Sequence, residues 1–277
     1  MRLGGPVFKK YADPGEWVAA LCDLGYRAAY CPVTTEAPDS EVEAYRHAAK
    51  KADMVIAEVG AWSNPMSNDS DEAKKALDIC IRSLDLAERI GARCCVNIAG
   101  SLSSKWDGPH PLNYAADTFD RIVELTRKII DAINPKRTFY TIETMPWMIP
   151  DSTESYEKLL LAVDRPGFAV HFDPANLICS PRLFYGNGLM IQEFVRRLGG
   201  HIRSCHAKDI RLADHMTTHL DEVAPGDGGL DYRTFLHEIA RLDPDTPVML
   251  EHLSTAAEYQ VAADYVRAIA VEENISL

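Results

Sequence analysis

Short apolar runs alternate with longer amphipathic stretches along the whole sequence, and there are eight of each. The apolar runs span residues 3–8, 26–31, 53–59, 93–99, 138–144, 168–173, 201–207 and 247–253. The amphipathic stretches span residues 14–24, 41–51, 69–90, 114–133, 153–163, 189–198, 232–241 and 256–271. Strict alternation of strands and helices predicts a (β/α)8 TIM barrel, α/β in class, forming a single domain over residues 1–277. An open doubly wound sheet is the main alternative, but the GxGxxG motif that would favour it after the first strand is absent.

Signals for helix boundaries support this division. Asp13 before Pro14 is typical of an N-terminal cap, and Ser40 three residues before Glu43 predicts a capping box. Gly91, directly after a long apolar stripe, predicts a helix end.

The charge and cysteine content limit the classes of partner. The chain has 29 Lys and Arg against 41 Asp and Glu, a formal charge of −12. This balance argues against nucleic acid or an anionic membrane as the main partner, because both favour a basic surface. No secretion signal or membrane-length apolar run is evident, and the seven cysteines form no CxxC pair. We therefore expect a cytoplasmic protein with reduced, buried cysteines.

Ionisable residues stand at the ends of four consecutive predicted strands. They are Glu143, Asp173, His206 and Glu251, each following an apolar run. In a barrel, the C-terminal ends of the strands and the loops after them form the active-site face. Single carboxylates there are commonplace as salt-bridge partners, but four such positions in succession favour a shared functional site.

Three carboxylates cannot converge without strong repulsion unless a cation lies between them. A set of three carboxylates and one imidazole suits Mn²⁺ or Mg²⁺ better than a thiolate-type zinc site. We expect one divalent metal ion, Mn²⁺ or Mg²⁺, and Co²⁺, Zn²⁺ and iron remain alternatives.

The same strand ends resemble a known family. The most specific segments are Ile142-Glu143, Phe172-Asp173-Pro174-Ala175-Asn176, His206-Ala207-Lys208-Asp209 with the later Pro225-Gly226-Asp227-Gly228, and Leu250-Glu251. The pattern resembles the sugar phosphate isomerase/epimerase family, the xylose isomerase-like barrels that include tagatose and psicose 3-epimerases, hydroxypyruvate isomerase and endonuclease IV.

This resemblance implies a reaction. The residues matching Glu143, Asp173, His206 and Glu251 would bind one divalent metal, often manganese, and the two glutamates would be the catalytic acid/base pair. One glutamate would remove the proton next to a carbonyl, and the other would return a proton to the enediolate. A small sugar is the implied substrate, and because barrels of this family often pair, a homo-oligomer is compatible with it.

Two departures from simple expectations matter. Sugar epimerases of the family often carry histidine where this chain has Asn176, which puts a ketose 3-epimerase in doubt. His171 and His252 lie close to predicted ligands in sequence, and strand alternation is expected to turn them to the opposite face as structural residues.

Further candidates for substrate binding lie on the same face. Lys208 follows His206 by two residues and would either stabilise an oxyanion or pair with a nearby carboxylate. Arg211 is a candidate for contact with a substrate oxygen, and its alternative is an ordinary surface residue. The aromatic candidates for a sugar face, each with loop packing as the alternative, are Trp62, Trp106, His110, Trp147 and Tyr185.

Three other functions stay open at this point. A relative of the family could eliminate from a 3-oxo-glycoside, as a C-glycoside deglycosidase does, by the same proton abstraction. A DNA-repair endonuclease of the same barrel needs more histidine ligands and a basic face. A non-catalytic carbohydrate-binding barrel would keep the pocket without turnover.

Overall fold

The computed structural model describes residues 1–277, and eight parallel strands close into a barrel. The chain has ten strands in all, eight in the barrel and two outside it: β1 (Arg2–Gly5), β2 (Ala28–Tyr30), β3 (Val55–Gly60), β4 (Cys94–Asn97), β5 (Tyr140–Glu143), β6 (Phe168–Phe172), β7 (Ile202–Ala207), β8 (Asp209–Leu212), β9 (Leu220–Val223) and β10 (Pro247–Leu250). The barrel order is β1-β10-β7-β6-β5-β4-β3-β2, and β8 pairs with β9 as a separate antiparallel hairpin. The predicted fold class is therefore confirmed.

Helices surround the barrel, and eight of the nine follow the predicted stretches closely, whereas the short helix Pro181–Tyr185 is not predicted. They are α1 (Pro14–Asp23), α2 (Asp39–Lys51), α3 (Ser70–Ile90), α4 (Ala116–Ile133), α5 (Thr153–Val163), α6 (Pro181–Tyr185), α7 (Asn187–Leu198), α8 (Tyr232–Ala240) and α9 (Ala256–Glu272). No helix combines the length and apolar character that crossing a bilayer requires.

The caps show where local sequence decides a helix boundary. The Asp13 carboxylate accepts hydrogen bonds from the backbone N–H groups of Gly15 and Glu16, and Gly91 ends α3 in the left-handed region, as predicted. The predicted capping box at Ser40 is wrong. Pro38 is the N-cap residue of α2 and makes no side-chain cap, so Ser40 already lies inside the helix.

The main apolar core lies between the barrel and the helices. Phe172 of β6 stacks on Phe194 of α7 with ring centroids 4.2 Å apart. Of the seven cysteines, all free, four are buried, but Cys22 and Cys179 are exposed and Cys31 is partly so. The expectation that the cysteines are buried therefore holds for only part of the set.

The barrel interior is filled differently from this outer core. Ala28, Ala57 and Met249 form a small separate apolar cluster. The polar side chains of Glu58, His171 and His206 contact one another and are almost completely buried. One part of the barrel interior is thus filled by apolar side chains, and another part by polar side chains.

Two irregularities in strand pairing help to place those polar residues. Between β2 and β3, Ala29 pairs with Ile56 and Tyr30 pairs with Glu58, so Ala57 is an extra residue on β3. A bulge of this kind redirects the next side chain, and Glu58 contacts side chains inside the barrel. A similar slip between β6 and β7 leaves one extra residue, Arg203, just before Ser204.

Candidate functional site

The four predicted ligands come together at the C-terminal ends of the barrel strands. One ligand atom from each of Glu143, Asp173, His206 and Glu251 can be chosen so that all four lie within 4.8 Å of one another. Nδ1 of His206 is 2.8 Å from Oε1 of Glu143 and 3.0 Å from Oε2 of Glu251. Asp173 is more distant, with Oδ2 4.0 Å from the same nitrogen. The sequence prediction that these side chains converge is matched by the geometry.

Lys208 lies among the carboxylates and is 2 % exposed. Its Nζ is 2.9 Å from Oδ2 of Asp173 and 2.9 Å from Oε2 of Glu251, and 3.6 Å from Oε1 of Glu143. Neither of the two nearest oxygens has a hydrogen-bond partner of sound geometry. Lys208 is therefore an ion-pair partner of both Asp173 and Glu251.

The charges of the cluster shift one another's pKa values. Burial alone would raise the pKa of Glu143, but the Lys208 ammonium and the His206 imidazolium lower it to about 2. Burial raises the pKa of Asp173 to about 6, even though Lys208 lies beside it. Burial opposes the charge on His206, but the carboxylates of Glu251, Glu143 and Glu58 raise its pKa well above the ordinary range. The protein thus holds its own positive charges among these acids.

Glu58 is a carboxylate that the sequence analysis missed. It is 1 % exposed, with Oε1 3.0 Å from Nε2 of His206, and Oε2 3.0 Å from Nε2 of His171 and 2.9 Å from the Ser204 hydroxyl. Burial would raise its pKa, but His206 and His171 lower it to about 2. A carboxylate within the apolar run Val55–Gly60 was the signal that could have identified it.

The expected orientation of His171 and His252 is wrong. His171 faces the barrel interior because it stands two residues before Asp173, and a period of two places both side chains on one face. His252 follows the end of β10 at a φ of +60°, where strand alternation no longer applies. Its Nδ1 is 2.9 Å from Oε1 of Glu222, and both residues border the site.

A cavity of about 480 Å³ opens above the cluster. Glu143, Glu251 and Lys208 line it, whereas Asp173 and His206 are fully buried and do not. Its other walls include Trp62, Trp106, Trp147, Met145, Asn176, Glu222 and His252. The cavity is therefore lined by both charged and aromatic side chains.

The remaining substrate-binding candidates have different positions. Asn176 lines the cavity, but its amide N–H groups already donate to Oε1 of Glu143 at 3.3 Å and to the Thr144 carbonyl at 3.0 Å. His110 caps the short 3₁₀ turn Pro111–Tyr114 and does not line the cavity. Arg211, on β8, and Tyr185 are exposed and do not line it either.

A family model described as xylose isomerase-like TIM barrel matches residues 18–269. This chain belongs to that family. No curated protein sequence matches the chain.

Solved structures with the same fold have diverse activities. Endonuclease IV from Thermus thermophilus superimposes with a TM-score of 0.73 at 16% identity, covering 98% of this chain and 100% of that one. D-psicose 3-epimerase with D-tagatose from Clostridium cellulolyticum has a TM-score of 0.68 at 15% identity, with 97% and 99% coverage. The probable 3-DHS dehydratase AsbF from Bacillus anthracis has a TM-score of 0.69 at 15% identity, with 97% and 98% coverage. At such low identities these likenesses show the fold alone.

Proposed function

We propose that this protein is a divalent-metal-dependent isomerase or epimerase that moves a proton next to the carbonyl of a sugar. The observation that carries the proposal is that two of the four residues of the acidic cluster (Glu143, Asp173, His206 and Glu251) line the cavity and the other two do not. Glu143 and Glu251 border the cavity, while Asp173 and His206 lie buried beneath it. Two carboxylates can therefore reach a bound substrate, and all four residues are near enough to hold an ion.

The donor set fits a divalent ion. Glu143, Asp173, His206 and Glu251 would hold it through three carboxylates and one imidazole, a combination that suits Mn²⁺ or Mg²⁺, and the family resemblance favours Mn²⁺. Oδ2 of Asp173 and Oε2 of Glu251 are buried and lie 2.9 Å from Nζ of Lys208 without a hydrogen bond of sound geometry, so both oxygens would be able to coordinate an ion. When bound, such an ion supplies Lewis-acid polarisation of a substrate carbonyl.

The chain's own residues would move the proton. One of the two glutamates takes the proton from the carbon next to the carbonyl, and the electron pair of that C–H bond moves into an enediolate. The other glutamate returns a proton, to the opposite face of the same carbon in epimerisation or to the adjacent carbon in isomerisation. The Lys208 ammonium lies close enough to both glutamates to stabilise the oxyanion between these steps.

The walls of the cavity favour an unphosphorylated, partly apolar substrate. Three tryptophans line it, and their faces suit the C–H surface of a sugar ring. No arginine lines the cavity, and its acidic residues outnumber its lysines, so a phosphate group would find little compensation. The three tryptophans also favour a sugar with an aromatic substituent, which supports elimination from a 3-oxo-glycoside as the second candidate.

Solvent deuterium exchange tests the proposal. The native protein with Mn²⁺ would be incubated in D₂O with candidate ketoses and with a 3-oxo-glycoside, beside Glu143→Gln and Glu251→Gln. Glu124→Gln, at an exposed position of α4, is the matched control. We expect deuterium uptake into a ketose with the native protein and the control, and none with either site variant.

The other outcomes are equally decisive. Equal exchange in all four proteins would reject the two-glutamate scheme. Cleavage of the 3-oxo-glycoside without exchange into any ketose would replace isomerisation by elimination. Mn²⁺ binding with no change in any of these sugars would favour a non-catalytic carbohydrate-binding barrel.

A further inference from the structure

A chain of buried polar contacts extends from the metal ligand His206 into the barrel. Its first member is Glu58, whose Oε1 lies 3.0 Å from Nε2 of His206. On the other side of the same imidazole, Nδ1 points toward Glu143 and Glu251. The two ring nitrogens thus serve different partners, one inside the barrel and one at the mouth.

Glu58 is itself held in place from two neighbouring strands. Its Oε2 accepts a hydrogen bond from the hydroxyl of Ser204 on β7 at 2.9 Å and lies 3.0 Å from Nε2 of His171 on β6. Nδ1 of His171 is buried without a partner, so Nε2 is the ring nitrogen through which His171 contacts Glu58. These contacts fix the carboxylate in one orientation.

Packing also restricts the imidazole of His206. The His171 ring lies 4.2 Å away, centroid to centroid, at an angle of 68°. The Trp62 ring lies 6.4 Å away on the cavity side. With Glu58 accepting the Nε2 proton, Nδ1 is the ring nitrogen that faces the acidic cluster, and it would release its own proton when an ion binds.

We propose that Glu58 is a positioning residue for the metal site, because its carboxylate accepts the Nε2 proton of His206 and so presents the Nδ1 lone pair to the ion. The inference rests on the proposed metal-binding function. Hydrogen-bond partners that orient metal-ligating histidines typically contribute 10–100-fold to metal affinity. The extra residue Ala57 in the β2–β3 pairing is the local feature that accompanies Glu58 facing the interior.

The test compares metal binding by variants that share a fold. Mn²⁺ affinity would be measured by titration calorimetry for the native protein, Glu58→Gln and Ser204→Ala, with thermal unfolding of each. We expect Glu58→Gln to lose about 10–100-fold in affinity. Ser204→Ala removes one of the contacts that hold the Glu58 carboxylate but leaves its contact with His206, so we expect a smaller loss than in Glu58→Gln, and an equal or larger loss would count against the proposal.

A second measurement uses the native protein and does not depend on a variant folding. Nitrogen-15 spectra of the histidine side chains would be recorded with Zn²⁺, a diamagnetic probe. We expect His206 to coordinate through Nδ1 with Nε2 protonated. Coordination through Nε2, or unchanged affinity in Glu58→Gln, would overturn the role of Glu58. Failure of the native protein to bind any divalent metal would instead overturn the proposed function.

Discussion

At the scale of single residues, Lys208 is the built-in counter-charge of the acidic cluster. Its ammonium lies 2.9 Å from carboxylate oxygens of Asp173 and Glu251, and almost no water reaches it. In Lys208→Met, those acids would lose the positive charge that compensates their own negative charges. Removing one partner of a buried ion pair typically costs about 3–5 kcal/mol, because the other charge stays buried and unpaired.

We therefore expect Lys208→Met to lower the free energy of unfolding by about that amount in the presence of EDTA. The loss should shrink when Mn²⁺ is added, since the ion supplies the missing charge. Urea unfolding with and without Mn²⁺ measures both values. Lys105→Met is the control, because Lys105 lines the same cavity but is exposed and pairs with Asp107. An equal loss with and without Mn²⁺ would contradict this account.

Strand geometry determines which single residues of the site can be predicted from the sequence. Glu143, Asp173, His206 and Glu251 could be grouped because the C-terminal ends of parallel strands meet at one rim of a barrel. Glu58 could not be placed in the same way, since the extra residue in the β2–β3 pairing breaks the simple alternation of faces. The contacts of such a residue depend on pairing between distant strands, which a single sequence does not reveal.

At the scale of elements, the hairpin of β8 and β9 is not predicted, because it falls between the apolar run at residues 201–207 and the amphipathic stretch at residues 232–241. It brings Glu222 to the cavity, where Oε2 lies 3.7 Å from Nζ of Lys208. The strands are only four residues each and their exposed positions carry polar side chains, so no strong apolar alternation marks them. The presence of this element therefore had to come from the structure.

Asp209 anchors the base of that hairpin. Its carboxylate accepts hydrogen bonds from the backbone N–H groups of Gly226, Gly228 and Leu230 at 2.9–3.2 Å. The motif His206-Ala207-Lys208-Asp209 and the later Pro225-Gly226-Asp227-Gly228 are thus joined in space. This explains in physical terms why glycine stands at position 228. A Cβ there would lie 2.3 Å from Oδ1 of Asp209 and 2.4 Å from the Ile210 carbonyl oxygen.

We expect Gly228→Ala to lower the free energy of unfolding by about 1–3 kcal/mol, since the added methyl group must displace backbone at the hairpin base. It should also increase proteolytic cleavage within residues 209–230. The matched control is Gly200→Ala, because a Cβ at Gly200 meets no atom within 4 Å. Equal stability of the two variants by urea unfolding would show that the hairpin base tolerates the methyl group.

At the scale of the whole molecule, the net charge bears on the class of partner. The barrel superimposes on endonuclease IV from Thermus thermophilus with a TM-score of 0.73, a likeness that shows the fold alone. The formal charge of −12 opposes contact with a phosphate backbone, whose binding relies on lysine and arginine displacing counterions. Since a shared barrel does not determine chemistry, we give the charge more weight than the likeness.

Arginines near the opposite end of the barrel do not change this expectation. Arg93 and Arg137 are paired with Asp243 and Glu88, and Arg203 lies over the Phe139 ring. At 100 mM salt, we therefore expect the Mn²⁺-loaded protein neither to retard nor to cleave a duplex with an abasic site. Gel retardation and strand cleavage measure this, with an authentic abasic-site endonuclease as the positive control. Binding that weakens steeply with rising salt would show that a local basic surface outweighs the net charge. That result would contradict the expectation that nucleic acid is not a partner of this protein.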